Sequence, residues 1–144
     1  GQMIKKCWKQ MEKIHKNIDV IRISMDAGTE ETYKIVRAPG DWNRLIANIA
    51  YLNSVRYDYN FQVWSDFVVQ KINYKEIPKY IRLAENLGID RINLQKITDW
   101  GTWGTKEKFD DVAVWKETHE EYLAYTEIVK NIRNERVQKG NLEA

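Results

Sequence analysis

Three groups of polar residues carry most of this chain's capacity for chemistry, and each closes a short β-branched stretch. Ser24 and Asp26 close the first, Gln70, Lys71 and Asn73 the second, and Gln95, Lys96, Thr98 and Asp99 the third. Hydroxyl, carboxylate, amide and ammonium groups gathered on one rim suit hydrogen bonding to a polar ligand, because burying them dry is costly. Asp26 can bond such a ligand or act as an acid or base; it can equally cap the Gly28–Thr29 turn. Asp66 lies inside a strand-like stretch, where a charge needs a partner. An ion pair with Arg22 or Arg91 therefore stands beside a role towards substrate. Trp100 and Trp103 follow the third stretch and can stack on a substrate, or pack over the sheet's end or under the last helix.

Other chemistries are excluded. The single cysteine, Cys7, rules out an internal disulfide framework and a four-thiolate metal site. His15 and His119 stand alone, without metal-ligand spacing to other donors. Gly101-Thr-Trp-Gly104 lacks the Lys-Ser/Thr ending of a phosphate loop. Asp110, Asp111, Glu120 and Glu121 read as solvated surface. The 144 residues carry a net charge of +2, from 23 basic and 21 acidic side chains. That balance makes no case for nucleic acid or a membrane surface as partner. Lys5, Lys6, Lys9, Lys13 and Lys16 read as the wet face of a helix. No apolar run approaches the ~18 residues of a membrane span, so a cytoplasmic location is expected.

The elements that must position these residues follow from periodicity. Met3, Cys7, Met11 and Ile14 predict an opening helix to about His15. Asp19–Asp26, Phe61–Gln70 and Arg91–Ile97 predict strands. A short helix from Thr29 to Val36 stops at Ala38-Pro39-Gly40. Asp41 caps a longer helix with Trp42, Leu45, Ile46, Ile49, Leu52 and Val55 on one face. Asn73 and Glu76 suggest a capping box for a helix ending at Gly88, and Thr118 and Glu121 suggest another for a last helix ending at Gly140. Thr98 to about Lys116 reads as a long loop. The expected class is α/β, a single domain over residues 1–144, with three parallel strands in the order α-β-α-β-α-β-α. Each strand alternates: Ile21, Ile23 and Met25 oppose Arg22, Ser24 and Asp26; Val63, Phe67 and Val69 oppose Trp64, Asp66 and Val68; Ile92 and Leu94 oppose Arg91, Asn93 and Gln95. One face is fit for helices and the other for a wet cavity or for solvent. Three parallel strands leave two bare edges, which points to a piece of a larger barrel or to self-association.

These residues resemble a known family. Ile23-Ser-Met-Asp-Ala27 followed by Glu31-Thr-Tyr-Lys-Ile-Val-Arg37 is similar to the fourth strand and following helix of radical S-adenosylmethionine enzymes, closest in flavour to the SPASM type. Val36 departs from that pattern as an insertion before Arg37. Phe67-Val-Val-Gln-Lys-Ile-Asn73 resembles the fifth strand, and Glu85 to Gln95 the helix and sixth strand. The resemblance runs from about Asp19 to Tyr122.

It implies a partial (β/α) barrel, of which this chain is the second half. It implies S-adenosylmethionine as cofactor, cleaved reductively at a 4Fe–4S cluster to start radical chemistry on a substrate the sequence does not name. Ser24 would meet the adenosyl ribose and Arg37 the methionyl carboxylate, although Arg37 can also serve as a helix C-terminal cation. Val68 would lie near the adenine, with Asp26 and Gln70 completing the cofactor side; Gln95, Asp66, Asn93 and Trp100 would form the substrate side. The family's C-x3-C-x2-C motif does not occur here, so no cluster is expected in this chain. Two functions follow: an inactive part of a radical enzyme, or a non-catalytic α/β binding module. Either allows a homodimer through exposed sheet edges.

Overall fold

The computed structural model describes residues 1–138. Strands β1 (Val20–Ser24), β2 (Gln62–Val69) and β3 (Arg91–Lys96) form one parallel sheet in the order β1-β2-β3. Helix α1 (Ile4–Trp8) precedes β1, and α2 (Glu30–Val36) and α3 (Trp42–Tyr59) connect β1 to β2. Helix α4 (Ile77–Asn86) connects β2 to β3; α5 (Lys106–Val112) and α6 (Tyr122–Gln138) follow. The expected α/β class and open parallel sheet are what the chain forms.

Register aligns the strands' two faces. Ile23 pairs with Ser65, and Ser24 with Asp66, which in turn pairs with Asn93. Side chains alternate across the pleat, so one face is apolar. Ile23, Met25, Val63, Phe67 and Val69 are fully buried there, with Leu45, Ile49 and Leu52 of α3 and Ile77, Tyr80 and Ala84 of α4 in the same core. The other face carries Arg22, Ser24, Trp64, Asp66, Arg91, Asn93 and Gln95; Arg22, Arg91 and Gln95 are exposed on it.

The helix ends follow their local sequence. Thr29 caps α2 by accepting from Thr32 N, and Asp41 caps α3 by accepting from Arg44 N at 2.8 Å. Asn60 closes α3 in the left-handed conformation, φ 55°, which Asn tolerates better than most residues. Pro78 lies in the first turn of α4, where its missing N–H costs nothing. Gly88, at φ 68°, follows the end of that helix.

Several expectations are corrected. The opening helix is α-helical only to Trp8 and continues as a 3-10 helix over Lys9–Asn17. Its buried residues are Trp8 and His15, and Met11 packs against the core as expected, whereas Met3 and Ile14 are each 49% exposed. His15 takes the inward position because its ring stacks on Trp8 at 4.1 Å and its Nε2 donates to Trp8 O at 2.8 Å. The long loop contains α5, opened by Thr105, which accepts from Lys108 N. The signal was the Thr105 cap followed by Phe109, which is buried.

Neither capping box forms. Asn73 accepts from Gln70 N and donates to Asp26 O and Val68 O, and Glu76 turns to the β1–α2 loop. Thr118 does not cap α6; His119 Nδ1 accepts from Glu121 N instead, and Glu121 pairs with Lys75. Gly140, the expected stop of α6, lies outside the described residues.

Candidate functional site

The polar face is built in rows across the strands. Asp66 is the hub of the middle row. Its Oδ1 takes Arg22 Nη2 at 2.7 Å, Asn93 Nδ2 at 3.0 Å and Gln95 Nε2 at 3.1 Å; its Oδ2 takes Arg22 Nε at 3.2 Å. The fork of Arg22 satisfies both carboxylate oxygens, as a guanidinium is shaped to do. Of the two expected partners, Arg22 is therefore the one that pairs with Asp66. Arg91 lies over the Trp64 ring, 4.7 Å from its centroid.

At the carboxyl end of β1 the chain turns sharply. Asp26 adopts φ 58° and is 4% exposed. That left-handed backbone is costly for a residue with a Cβ, and its side chain is correspondingly tied down. Oδ1 accepts from Val68 N at 2.7 Å, and Oδ2 pairs with Arg37. Burial pushes the Asp26 carboxyl above its ordinary value; the Val68 N–H and the Arg37 charge oppose the shift without cancelling it. The expectation that Asp26 caps the Gly28–Thr29 turn is corrected. Glu76 does that work, accepting from Gly28 N at 2.8 Å, Thr29 Oγ1 at 2.7 Å and Thr32 Oγ1 at 2.7 Å.

Beside this corner lies a cavity of about 480 Å³, lined by Ser24, Arg22, Tyr33, Arg37 and Arg44 among others. Tyr33 OH accepts from Gln2 Nε2 at 2.9 Å. Arg37 Nε is buried with no hydrogen-bond partner. An unpaired guanidinium N–H beside a cavity fits an anionic ligand oxygen. The Asp26–Arg37 pair holds that side chain, so Arg37 does more than complement the dipole of α2.

Ser24, Asp26, Arg37 and Asp66 are thus brought to one end and one face of the sheet. Asn93 and Gln95 join them through Asp66. Val68 is half-buried, and its amide rather than its side chain serves the corner. Gln70 contributes its backbone N–H to Asn73. Trp100 stands apart, 83% exposed on the loop after β3. It packs neither over the sheet's end nor under the last helix; Trp103 packs near Phe109, 6.4 Å between centroids.

Sequence reasoning missed Arg44, Tyr33 and Glu76. Arg44 had a signal, since it is the third residue after the Asp41 cap and one turn of helix brings it back to the loop. Glu76 had a misleading one, its spacing from Asn73.

The residues do not fit an iron–sulfur cluster. Such clusters need several thiolates, Cys7 is the single cysteine, and no group of three metal-ligating side chains occurs among the described residues. No described helix is long and apolar enough to cross a membrane.

No family model matches the chain, and no solved structure does. Among curated proteins it is 30% identical over 118 residues to proteins named "Probable GTP 3',8-cyclase" from Saccharolobus islandicus strains L.S.2.15, M.14.25 and Y.G.57.14. The match covers 81% of this chain and 36% of each relative, so the chain spans about a third of their length. Together with the open parallel sheet, this similarity supports the resemblance to radical S-adenosylmethionine enzymes at the level of the superfamily.

Proposed function

We propose that this chain is the second half of the barrel of a radical S-adenosylmethionine enzyme, and that its strand ends hold the cofactor and part of the substrate. The observation that carries the reading is the corner at the end of β1. There Ser24 and Arg37 line one cavity, and a buried guanidinium N–H is left without a partner. In this reading Ser24 bonds the adenosyl ribose. Arg37, fixed by Asp26, meets the methionyl carboxylate with the N–H groups Asp26 leaves over. Val68 lies beside the adenine, and Gln70 closes the cofactor side. Asp66, Asn93 and Gln95 form the substrate wall, and Trp100 stacks on substrate from the rim. S-adenosylmethionine supplies the radical chemistry when bound; these residues bind, orient and shield.

The cluster would be held by another part of the parent, and this chain alone would not turn over. The reading stays at superfamily level, which is as far as the similarity to the relatives carries it. The relatives' name makes a guanine nucleotide one substrate to test first. The outer edges of β1 and β3 would pair with further strands in the parent, or between copies of the isolated chain.

Equilibrium dialysis of the chain against S-adenosylmethionine tests the reading. Weak saturable binding is expected, reduced about tenfold or more by Ser24→Ala and by Arg37→Gln, since each removes a hydrogen bond to a polar or charged group. Binding that neither substitution changes would contradict the assignment.

A further inference from the structure

At the opposite end of the sheet, a second cavity of about 360 Å³ is lined by Trp8, His15, Tyr51 and Tyr59, with Glu12, Asp58 and Lys9 among the remaining lining residues. His15 precedes β1 and Tyr59 precedes β2, so this cavity lies by the strands' amino ends, away from Ser24 and Asp26.

The rings form one connected set. Trp8 stacks on His15 at 4.1 Å and meets Tyr59 edge-on at 5.6 Å and Tyr51 at 6.3 Å; His15 meets Tyr59 at 4.8 Å. Tyr51 and Tyr59 are half-buried, packed against the core and lining this space. Ring faces carry negative potential and attract cations, which aliphatic walls do not. Two carboxylates, Glu12 and Asp58, and one ammonium, Lys9, line the cavity. One of the rings already receives a cation from the chain itself, for Lys5 Nζ lies 5.8 Å from the Tyr51 centroid. His15 is 2% exposed, and its Nδ1 has no hydrogen-bond partner. Because Nε2 donates to the Trp8 carbonyl, Nδ1 carries the lone pair in the neutral ring, adding an acceptor rather than a donor to the set.

We propose that this aromatic cavity binds a small organic cation of the alkylammonium class, against the rings of Tyr51 and Tyr59 and the carboxylates of Glu12 and Asp58. An alkylated ammonium suits it better than a metal ion. It surrenders little hydration, and it presents a broad, weakly charged surface to rings. The volume lies within the usual range of small-molecule pockets. The site is independent of the cofactor corner and stands or falls without it.

The test is an NMR titration of the chain with tetramethylammonium chloride at constant ionic strength. The control is tert-butanol, which has nearly the same shape and no charge. The expected result is saturable movement of the Trp8 indole and His15 ring resonances with the cation and none with the alcohol. Tyr59→Leu should weaken binding about two- to fivefold, the usual worth of one cation–π contact. Glu12 and Asp58 are exposed, so the double variant Glu12→Gln, Asp58→Asn keeps the fold and should weaken it comparably. Equal response to the alcohol, response confined to other residues, or binding that both variants leave unchanged would overturn the proposal.

Discussion

Asp26 concentrates the physics of the candidate site. It is buried, held in a left-handed backbone, and bonded both to a neighbouring strand's amide and to Arg37. Its carboxyl lies above the ordinary range because burial outweighs both favourable contacts. For a carboxyl raised in the folded state, the folded chain binds more protons than the unfolded one between the two values. Stability from this group is therefore present at acid pH and falls as pH rises from the ordinary carboxylate value through the raised one. A carbon-detected NMR titration should find the Asp26 midpoint above the ordinary carboxylate value, and Asp26→Asn should flatten this part of the stability profile. A midpoint at or below the ordinary carboxylate value would show that the Arg37 pairing dominates. Glu76 gives a second test at this scale. Glu76→Ala strands the Gly28 N–H and the hydroxyls of Thr29 and Thr32, and should cost about 1–3 kcal/mol in denaturant unfolding. The polar strand ends were legible in the sequence because alternation along a strand is visible residue by residue. The Asp26–Arg37 pair and the Glu76 clamp were not. Each joins positions far apart in the chain, and only the fold decides which acceptor reaches which donor.

The elements divide by how local their causes are. The strands and α3 were readable because a periodic apolar face and an adjacent cap specify each one. Helix α5 was hidden in a stretch rich in Trp, Asp, Lys and Gly, where Phe109 and Val112 alone mark its apolar face and only Phe109 is buried. The opening segment misled for a different reason: aromatic stacking of His15 on Trp8 outweighed the burial of Met3 and Ile14. The connections at the sheet's carboxyl end are locked to each other more than to the helices they lead into. Glu76, just before α4, holds the loop before α2, and Asn73 bonds the Asp26 and Val68 carbonyls. Gly28 sits in this lock with no room to spare, since a Cβ there would meet Tyr80 N at 2.9 Å and Glu76 O at 3.0 Å. Backbone cannot give way as a side chain can. Gly28→Ala should cost about 1–3 kcal/mol and loosen the corner, seen as faster amide exchange at Gly28 and Thr29. Wild-type exchange rates and stability would show that the two loops are not coupled in this way.

At the scale of the molecule, the sheet has one covered face and one open face. Helices α3 and α4 bury one face in a continuous core, while the other stays polar and open. A face built around Asp66, with Arg22, Asn93 and Gln95 spent on one carboxylate, suits the wall of a wet lumen better than an outer surface. The similarity covers 36% of each relative, which fits the same picture. What this chain lacks for the proposed chemistry is a set of thiolates, and the superfamily reading locates them before the first residue. The most direct test is therefore the coding sequence upstream of Gly1. A continuous open frame carrying C-x3-C-x2-C about half a barrel upstream is the predicted result. A frame that begins near Met3, or runs far upstream without those cysteines, would contradict the account and leave a binding module with a polar sheet face.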